Sequence, residues 1–349
     1  MKITHIIFSL QVGGSESMLI DIMEEQVRLD HDVHLIIIND EMNEVLETSI
    51  PKKVKVHKFG RKEGSKSPLF IIKLYAKLYT IHSDIVHCHN VSMGKLLKFY
   101  RGKKIITIHT TDIYAPELKN FDQVVAISKA VHDDLLDTGS CQSVIIHNGI
   151  QTKNIVMKTE YRDSNSFKVL QVSRLYHETK GQDIAIKALY VLRKKNPDKD
   201  ISLTFIGEGP STSYLKNLVS DLNLDGSVNF MGKKDKAYIY QHLKDYDLLI
   251  QPSRYEGFGL TIIEGMAAKL PVVVSDIEGP MEVILNGSLG SFFECENSDD
   301  LANKIFEIMN NPNSQRVEDA YQYTIQNYSI EKTVKKYLDL YQDVIGKRA

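Results

Sequence analysis

Cysteine is scarce in this chain of 349 residues: Cys88, Cys141 and Cys295 are widely spaced and odd in number. They build no disulfide framework and no C-x-x-C metal knuckle. With only 9 Pro and 20 Gly the chain is neither fibrous nor of low complexity. Long apolar runs are absent too. A run such as Leu270–Val274 falls far short of the ~18 residues that cross a bilayer. Asp21, Glu24 and Glu25 interrupt the opening apolar segment too soon for a signal peptide. A net charge of −2 excludes a globally basic nucleic-acid binder, so no nucleic-acid partner is expected. The expectation is a soluble, cytoplasmic protein.

What is present suits folded domains. Hydrophobic residues make up 42% and charged residues 25%, enough to bury ordinary cores. The length predicts two units of roughly 150–170 residues each. Apolar, β-branched segments at Lys2–Leu10, Val33–Ile38, Asp84–His89, Lys104–His109, Gln123–Ile127 and Ser143–His147 read as strands buried on both faces. Helical spacing falls between them, at Glu16–Leu29, Pro68–His82, Val91–Tyr100 and Ser128–Asp137.

Gln151–Ser166 is polar and aperiodic and reads as a link between domains. Alternation then restarts, with strands at Lys168–Val172, Ile201–Ile206, Ser227–Met231, Asp247–Gln251 and Pro271–Ser275. Helices are expected at Lys180–Lys195, Ser211–Leu222, Lys234–Lys244, Leu260–Lys269, Asp299–Asn310 and Ile330–Ile345. Such alternation builds parallel, doubly wound sheets. The fold class is therefore α/β: two tandem Rossmann-like domains, 1–155 and 166–325, with 326–349 a terminal helix.

In such sheets ligands bind beyond the C-terminal ends of the strands, at the switch in strand order. The dinucleotide fingerprint G-x-G-x-x-G is missing there, and so is the P-loop. Gly13 and Gly14 follow the first strand and precede a helix, where glycine lets backbone approach a phosphate. A tight turn that merely needs glycine explains them equally well. Asp30-His31-Asp32 matches the D-x-D of metal-dependent sugar transferases, but it precedes a strand and reads as a solvated turn. His87, His89 and His109 close two strands at the ligand edge. No carboxylate or cysteine pattern completes a metal site around them, so packing or hydrogen bonding is expected. His109, where the chain leaves the sheet, is the better functional candidate.

Stronger signals follow in the second half. Arg174 leaves a strand and Lys180 opens the next helix, a fork and a point charge suited to a diphosphate. From Glu256 through Gly257, Phe258, Gly259, Leu260 and Thr261 to Glu264, two glycines flank one aromatic where a strand passes into a helix. The amides there can hold anionic oxygen while the two carboxylates accept from vicinal hydroxyls.

Together these residues resemble the retaining glycosyltransferases of family 4, with GT-B architecture. The resemblance rests on Arg174, Lys180, Gly207-Glu208-Gly209-Pro210 and Ser253 through Glu264. In the first half it rests on Gly13-Gly14-Ser15-Glu16, His87-Cys88-His89, Ala126-Ile127-Ser128-Lys129 and His147-Asn148-Gly149-Ile150. It implies a cleft between the domains, and a last helix that returns to the first. Gly13 and Gly14 would border the donor phosphate and the acceptor, and His109 would contact the donor sugar. Arg174 and Lys180 would hold the diphosphate, and Glu256 the sugar hydroxyls. The amides of Gly257–Leu260 would line sugar and phosphate, beside Thr261. Glu264 would bind the ribose, while Gly232 and Lys233 would flank the base.

The implied reaction moves a sugar, with retention, from a nucleotide-diphosphate sugar (UDP favoured, GDP open) to a glycan hydroxyl. No cofactor is expected beyond that co-substrate, and no metal, since Arg174 and Lys180 supply the cations. Two other readings stand beside it: a GT-B sugar-nucleotide epimerase, and a non-catalytic nucleotide-sugar-binding protein.

Charge is segregated along the chain. Residues 52–104 hold 14 Lys or Arg against Glu63 and Asp84, a local +12, so the rest sums to −14. A solvated rim around one core helix explains this poorly. The expectation is an anionic membrane surface contacted by this region, with a polyprenyl-diphosphate-linked acceptor on the inner face of the cytoplasmic membrane.

Overall fold

The strands are short and β-branched, and most are buried on both faces, so each must be covered by helices on either side of a parallel sheet. The computed structural model describes residues 1–11, 13–65, 67–159 and 166–346. It divides into two compact units, Met1–Gly149 with Ile330–Ala349, and Ile150–Ser329.

The first unit holds β1 (Lys2–Ile7), β2 (Asp32–Asn39), β3 (Lys55–Arg61), β4 (Ile85–Cys88), β5 (Lys104–Ile108), β6 (Gln123–Ala126) and β7 (Val144–Ile145). Their order is β3-β2-β1-β4-β5-β6-β7, parallel throughout. Strand order reverses between β1 and β4. The helix Gly14–Arg28 buries Met18 and Ile22 with Ile3, Ile85 and Ile105. On the same side the terminal helix Ile330–Gly346 adds Val334, Tyr337 and Tyr341.

The second unit repeats the plan with β8 (Ser166–Val172), β9 (Asp200–Ile206), β10 (Val228–Phe230), β11 (Leu248–Gln251), β12 (Val272–Ser275) and β13 (Ser291–Phe293). Their order is β10-β9-β8-β11-β12-β13, again all parallel. Here the switch lies between β8 and β11. The chain is thus α/β with two Rossmann-like sheets.

Several details depart from the sequence expectation. The second unit begins at Ile150, not after a linker to 166. Val156 N–H donates to Tyr240 O at 3.0 Å, and Lys158 Nζ donates to Tyr246 O and Asp247, both at 2.6 Å. Residues 160–165 of the expected link lie outside the described residues. The return to the first unit starts at Ile330 rather than 326, because Ser314–Asn327 is a separate helix, capped by Asn313. Only Met93–Leu96 of the expected helix Val91–Tyr100 is helical. Strands β3 and β13 were not expected; both are edge strands, partly exposed.

Candidate active site

Backbone at the C-terminal ends of β8 to β11 converges on the switch point of the second sheet. After β8, Ser173 N–H donates to Ile206 O at 3.1 Å, and Leu175 N–H to Glu208 O at 3.0 Å. These bonds lock the Arg174 loop against the Gly207-Glu208-Gly209 turn. Gly207 has φ +144°, and a Cβ there would run into the Ser173 carbonyl. Its N–H donates to Gly232 O at 2.9 Å, which brings Gly232 and the exposed Lys233 to the same edge. Arg174 is exposed, and among the described residues no acceptor bonds its guanidinium.

The expected helix Lys180–Lys195 is two helices, His177–Lys180 and Gln182–Lys195, broken at Gly181 with φ +64°. Lys180 therefore closes a short turn instead of opening a helix. The cause is proximity: a Cβ on Gly181 would collide with the Pro252 carbonyl beyond β11. That contact delivers Lys180 to the other side of the switch point, where its Nζ meets Glu256 Oε2 at 2.8 Å. Gln251 Nε2 donates to the same oxygen at 3.2 Å.

The Glu256–Gly259 loop is held from several directions. Phe258 is buried and meets the Tyr328 ring edge-on, centroids 5.5 Å apart. Its side chain is an anchor, which leaves the loop's backbone as the part that can face a ligand. Gly259, at φ +103°, caps the helix Leu260–Ala267. Thr261 Oγ1 is committed to Gln251 Oε1 at 3.1 Å. Glu264 is half-buried on this helix, which begins at the half-buried Leu260. Gly279 abuts the backbone of Glu256 and Gly257 so closely that a Cβ would collide with it.

Sequence reasoning missed the clamp behind these groups. Arg254 Nη1 and Nη2 bond Asp183 at 2.8 and 3.0 Å, Nη2 bonds Glu296 at 2.8 Å, and Nη1 bonds His177 O at 2.5 Å. Arg254 N–H also donates to Thr179 O at 2.9 Å. Hydrogen bonds to Asp183 and then Glu296 hold the guanidinium pKa well above its ordinary value. One side chain thus ties the Lys180 turn to the Glu256 loop. The only signal in the sequence was an arginine two residues before Glu256.

In the first unit, Gly13 caps the helix Gly14–Arg28 after β1, at the β1/β4 switch. Its φ of −160° is extended backbone open to any residue, so local conformation does not demand glycine there. An open depression of about 430 Å³ lies at this edge, lined by Ser9, Gln11, Glu16, Asn39, Arg61 and Asn90 among others. Asn39 and Asn90 were legible as polar residues just beyond strands but were not singled out. Asp30-His31-Asp32 is the expected turn at the other end, with Asp32 bound to Lys55 Nζ at 2.7 Å.

The histidines form a network in which His5 and His87 are buried and His89 and His109 half-buried. His5 Nδ1 and His89 Nε2 share a hydrogen bond of 3.1 Å, and His5 Nε2 bonds Gln26 at 2.9 Å. His87 bonds the hydroxyls of Tyr341 and Thr107 at 2.8 and 2.7 Å. Ring nitrogens of His5, His87 and His89 lie within 4.8 Å of one another, yet those of His5 and His87 are already spent on protein partners. His109 stacks on His89 at 5.9 Å, and its Nε2 is shielded from solvent without a hydrogen-bond partner among the described residues. Burial lowers the His109 pKa to about 4, so the ring is neutral at physiological pH.

Comparison with known proteins fits this layout. The model of the group 1 glycosyl transferases matches residues 153–327, and that of glycosyltransferase family 4 matches 12–154. The chain belongs to the family 4-type glycosyltransferases. The N-acetyl-alpha-D-glucosaminyl L-malate synthase of Bacillus anthracis is 25% identical over 96% of this chain and 95% of its own. An uncharacterized glycosyltransferase of Methanocaldococcus jannaschii is 26% identical over 75% of this chain and 76% of its own. Among solved structures, Anabaena HepE in complex with UDP and glucose superposes with TM-score 0.80 at 22% identity, covering 97% of this chain and 99% of that one. The fold of this glycosyltransferase is accordingly GT-B. The epimerase reading is not favoured.

Proposed function

We propose that the protein is a retaining glycosyltransferase that moves a hexosyl or N-acetylhexosaminyl group from a UDP-sugar to a hydroxyl of a lipid-linked glycan precursor, at the inner face of the cytoplasmic membrane. One observation carries the donor half: Arg174, the Lys180–Glu256 pair and the Gly257–Leu260 amides meet at the switch point of one sheet. Lys180 and the amides are held in place, and with the exposed Arg174 they can donate where charge develops on the departing diphosphate. Glu256, steadied by Lys180 and Gln251, accepts from sugar hydroxyls in this reading. Gly232 and Lys233 flank the base, and Glu264 takes the ribose.

In the first unit, His109 and the Gly13-Gly14 turn lie at the ligand edge of its own sheet, and we assign them to sugar and to phosphate or acceptor respectively. That Gly13 has no conformational need of glycine supports close approach of a ligand to its backbone. In the step itself, the bond from the anomeric carbon to the phosphate oxygen breaks. The acceptor oxygen bonds to the same face, and its proton passes to the leaving phosphate. Arginine, lysine and amides meet the charge, so no metal is assigned a part.

The UDP and glucose held by HepE, and the N-acetylglucosaminyl group in the name of the Bacillus anthracis relative, support this donor class. A thermal-shift screen of UDP, GDP and their common sugars tests it. A ligand at 100 times its Kd adds about 2.7 kcal/mol, so UDP should raise the melting temperature clearly and GDP should not. The absence of any shift with either diphosphate would retire the reading. Unchanged transfer in excess EDTA is expected, and a rate abolished by EDTA and restored by divalent cation would overturn the metal-free step.

A further inference from the structure

The outward face of the helix Leu69–Ile81 is apolar. Leu69 and Ile72 are 64% and 65% exposed, and Tyr79 is 50% exposed. With Ala76 they recur at helical spacing on one stripe, opposite the buried Leu74, Leu78 and Ile81. The stripe continues onto Phe99, which is 78% exposed. Phe99 N–H donates to the Tyr75 hydroxyl at 3.2 Å, and the Tyr100 ring packs on Tyr79 at 5.6 Å, so the two segments form one surface.

Ion pairs narrow the charge argument. Lys55 pairs with Asp32 at 2.7 Å, Lys95 with Glu117 at 3.4 Å and Lys103 with Asp122 at 3.6 Å, while Lys58 pairs with Glu47. Four of its fourteen basic residues are therefore paired with acids from outside the segment. Lys73, Lys98 and Arg101 are different. All three are exposed beside the stripe, and among the described residues none is paired with an acid.

Large apolar side chains left in water next to unpaired cations call for a partner that offers both an apolar depth and negative charge. A second copy of this chain offers the first but would set like charges together across the contact. An anionic bilayer offers both. We propose that this stripe is the protein's membrane-docking surface: Leu69, Ile72, Tyr79 and Phe99 enter the headgroup–acyl boundary, and Lys73, Lys98 and Arg101 meet anionic headgroups. The inference deepens the lipid-linked reading above by naming the surface that brings the enzyme to its acceptor.

Sedimentation with phosphatidylcholine vesicles, with and without about one-third phosphatidylglycerol, tests it at low salt, where each cation near the surface is worth about fivefold in partitioning. Binding should require the anionic lipid and weaken between about 0.1 and 0.5 M salt. K73E/K98E/R101E should lower partitioning by well over tenfold. L69S/I72S/F99S, which leaves every charge in place, should abolish it. Failure to bind anionic vesicles at low salt, or binding that survives L69S/I72S/F99S, would overturn the docking surface. A dimer dispersed by L69S/I72S/F99S would overturn it as well, in favour of a second copy. The UDP thermal shift is measured on the same variants and should be unchanged. Its absence from every protein, wild type included, would strike the UDP-donor reading and leave the vesicle result standing.

Discussion

Lys180 and Glu256 illustrate how one residue pair can be worth little to stability and much to chemistry. Their ion pair at 2.8 Å is about a quarter solvent-exposed on the lysine side, a setting where such pairs contribute roughly 0–1 kcal/mol. Yet both groups sit where a diphosphate and a sugar would meet. Lys180→Ala and Arg174→Ala are each expected to lower kcat by roughly 10²–10³, the loss typical of removing one donor to developing charge. Melting of the Arg174 variant should stay within about 0.5 kcal/mol of wild type, since Arg174 is exposed and among the described residues nothing bonds its guanidinium. Steady-state kinetics at saturating donor decide this, and wild-type turnover in both variants would sink the diphosphate assignment. Glu264→Ala should instead raise the donor KM with kcat held, because ribose contacts serve ground and transition states alike. A collapse of kcat at unchanged KM would give Glu264 another task.

At the scale of elements, two glycines make opposite predictions. Gly181 has φ +64° and faces the Pro252 carbonyl, so Gly181→Ala should cost about 1–3 kcal/mol in backbone strain and pull Lys180 from Glu256. Gly13 is extended, and a Cβ would meet only the flexible Glu16 side chain. Gly13→Ala should leave stability within about 0.5 kcal/mol and lower turnover. Denaturant unfolding beside kinetics separates the two, and a destabilised Gly13→Ala with normal turnover would reduce that glycine to a turn residue.

Elements differ in the same way in how much of them the sequence exposes. Strands β1, β2 and β5 are buried on both faces and read as apolar runs. Strand β3 carries Lys55, Lys58 and Arg61 because it is an edge, where charge protects unpaired backbone, and so it hides among basic residues. The helix Ser314–Asn327 buries only Val317, Ala320 and Thr324, too sparse a stripe to show periodicity. Glu256 through Glu264 was legible as a site because its parts are contiguous. The Arg254 clamp was not, because Asp183 and Glu296 reach it from distant segments and only the fold pairs them.

Two units on one chain should unfold in two steps, and acid should separate them. The first unit gathers His5, His87, His89 and His109 on one sheet, the first two buried and the last two half-buried. Burial lowers His5 and His109 to about 4, and His87 and His89 well below the ordinary value; the Gln26 bond only partly offsets this at His5. Among the described residues their hydrogen-bond partners are Gln26, Thr107, Tyr341 and one another, with no carboxylate to stabilise an imidazolium.

The sign follows from linkage. Above about pH 6.5 both folded and unfolded rings are neutral, and stability is full. Between about 6.5 and 4 the unfolded chain takes up protons that the folded unit refuses, so stability falls as pH falls. For His5 alone the loss by pH 5 is of order 2 kcal/mol. The terminal helix Ile330–Gly346 is part of this unit through Tyr337 and Tyr341, so it should melt with the first sheet although the second unit precedes it in the chain. Calorimetry at pH 7.5 and 5.0 is expected to show one transition dropping steeply in acid while the other, raised by UDP, moves little. His5→Gln should flatten the acid slope by about one proton, since a neutral amide replaces one titrating ring. If both transitions fell equally, or if His5→Gln left the slope intact, the histidine network would not be what makes the first unit acid-labile.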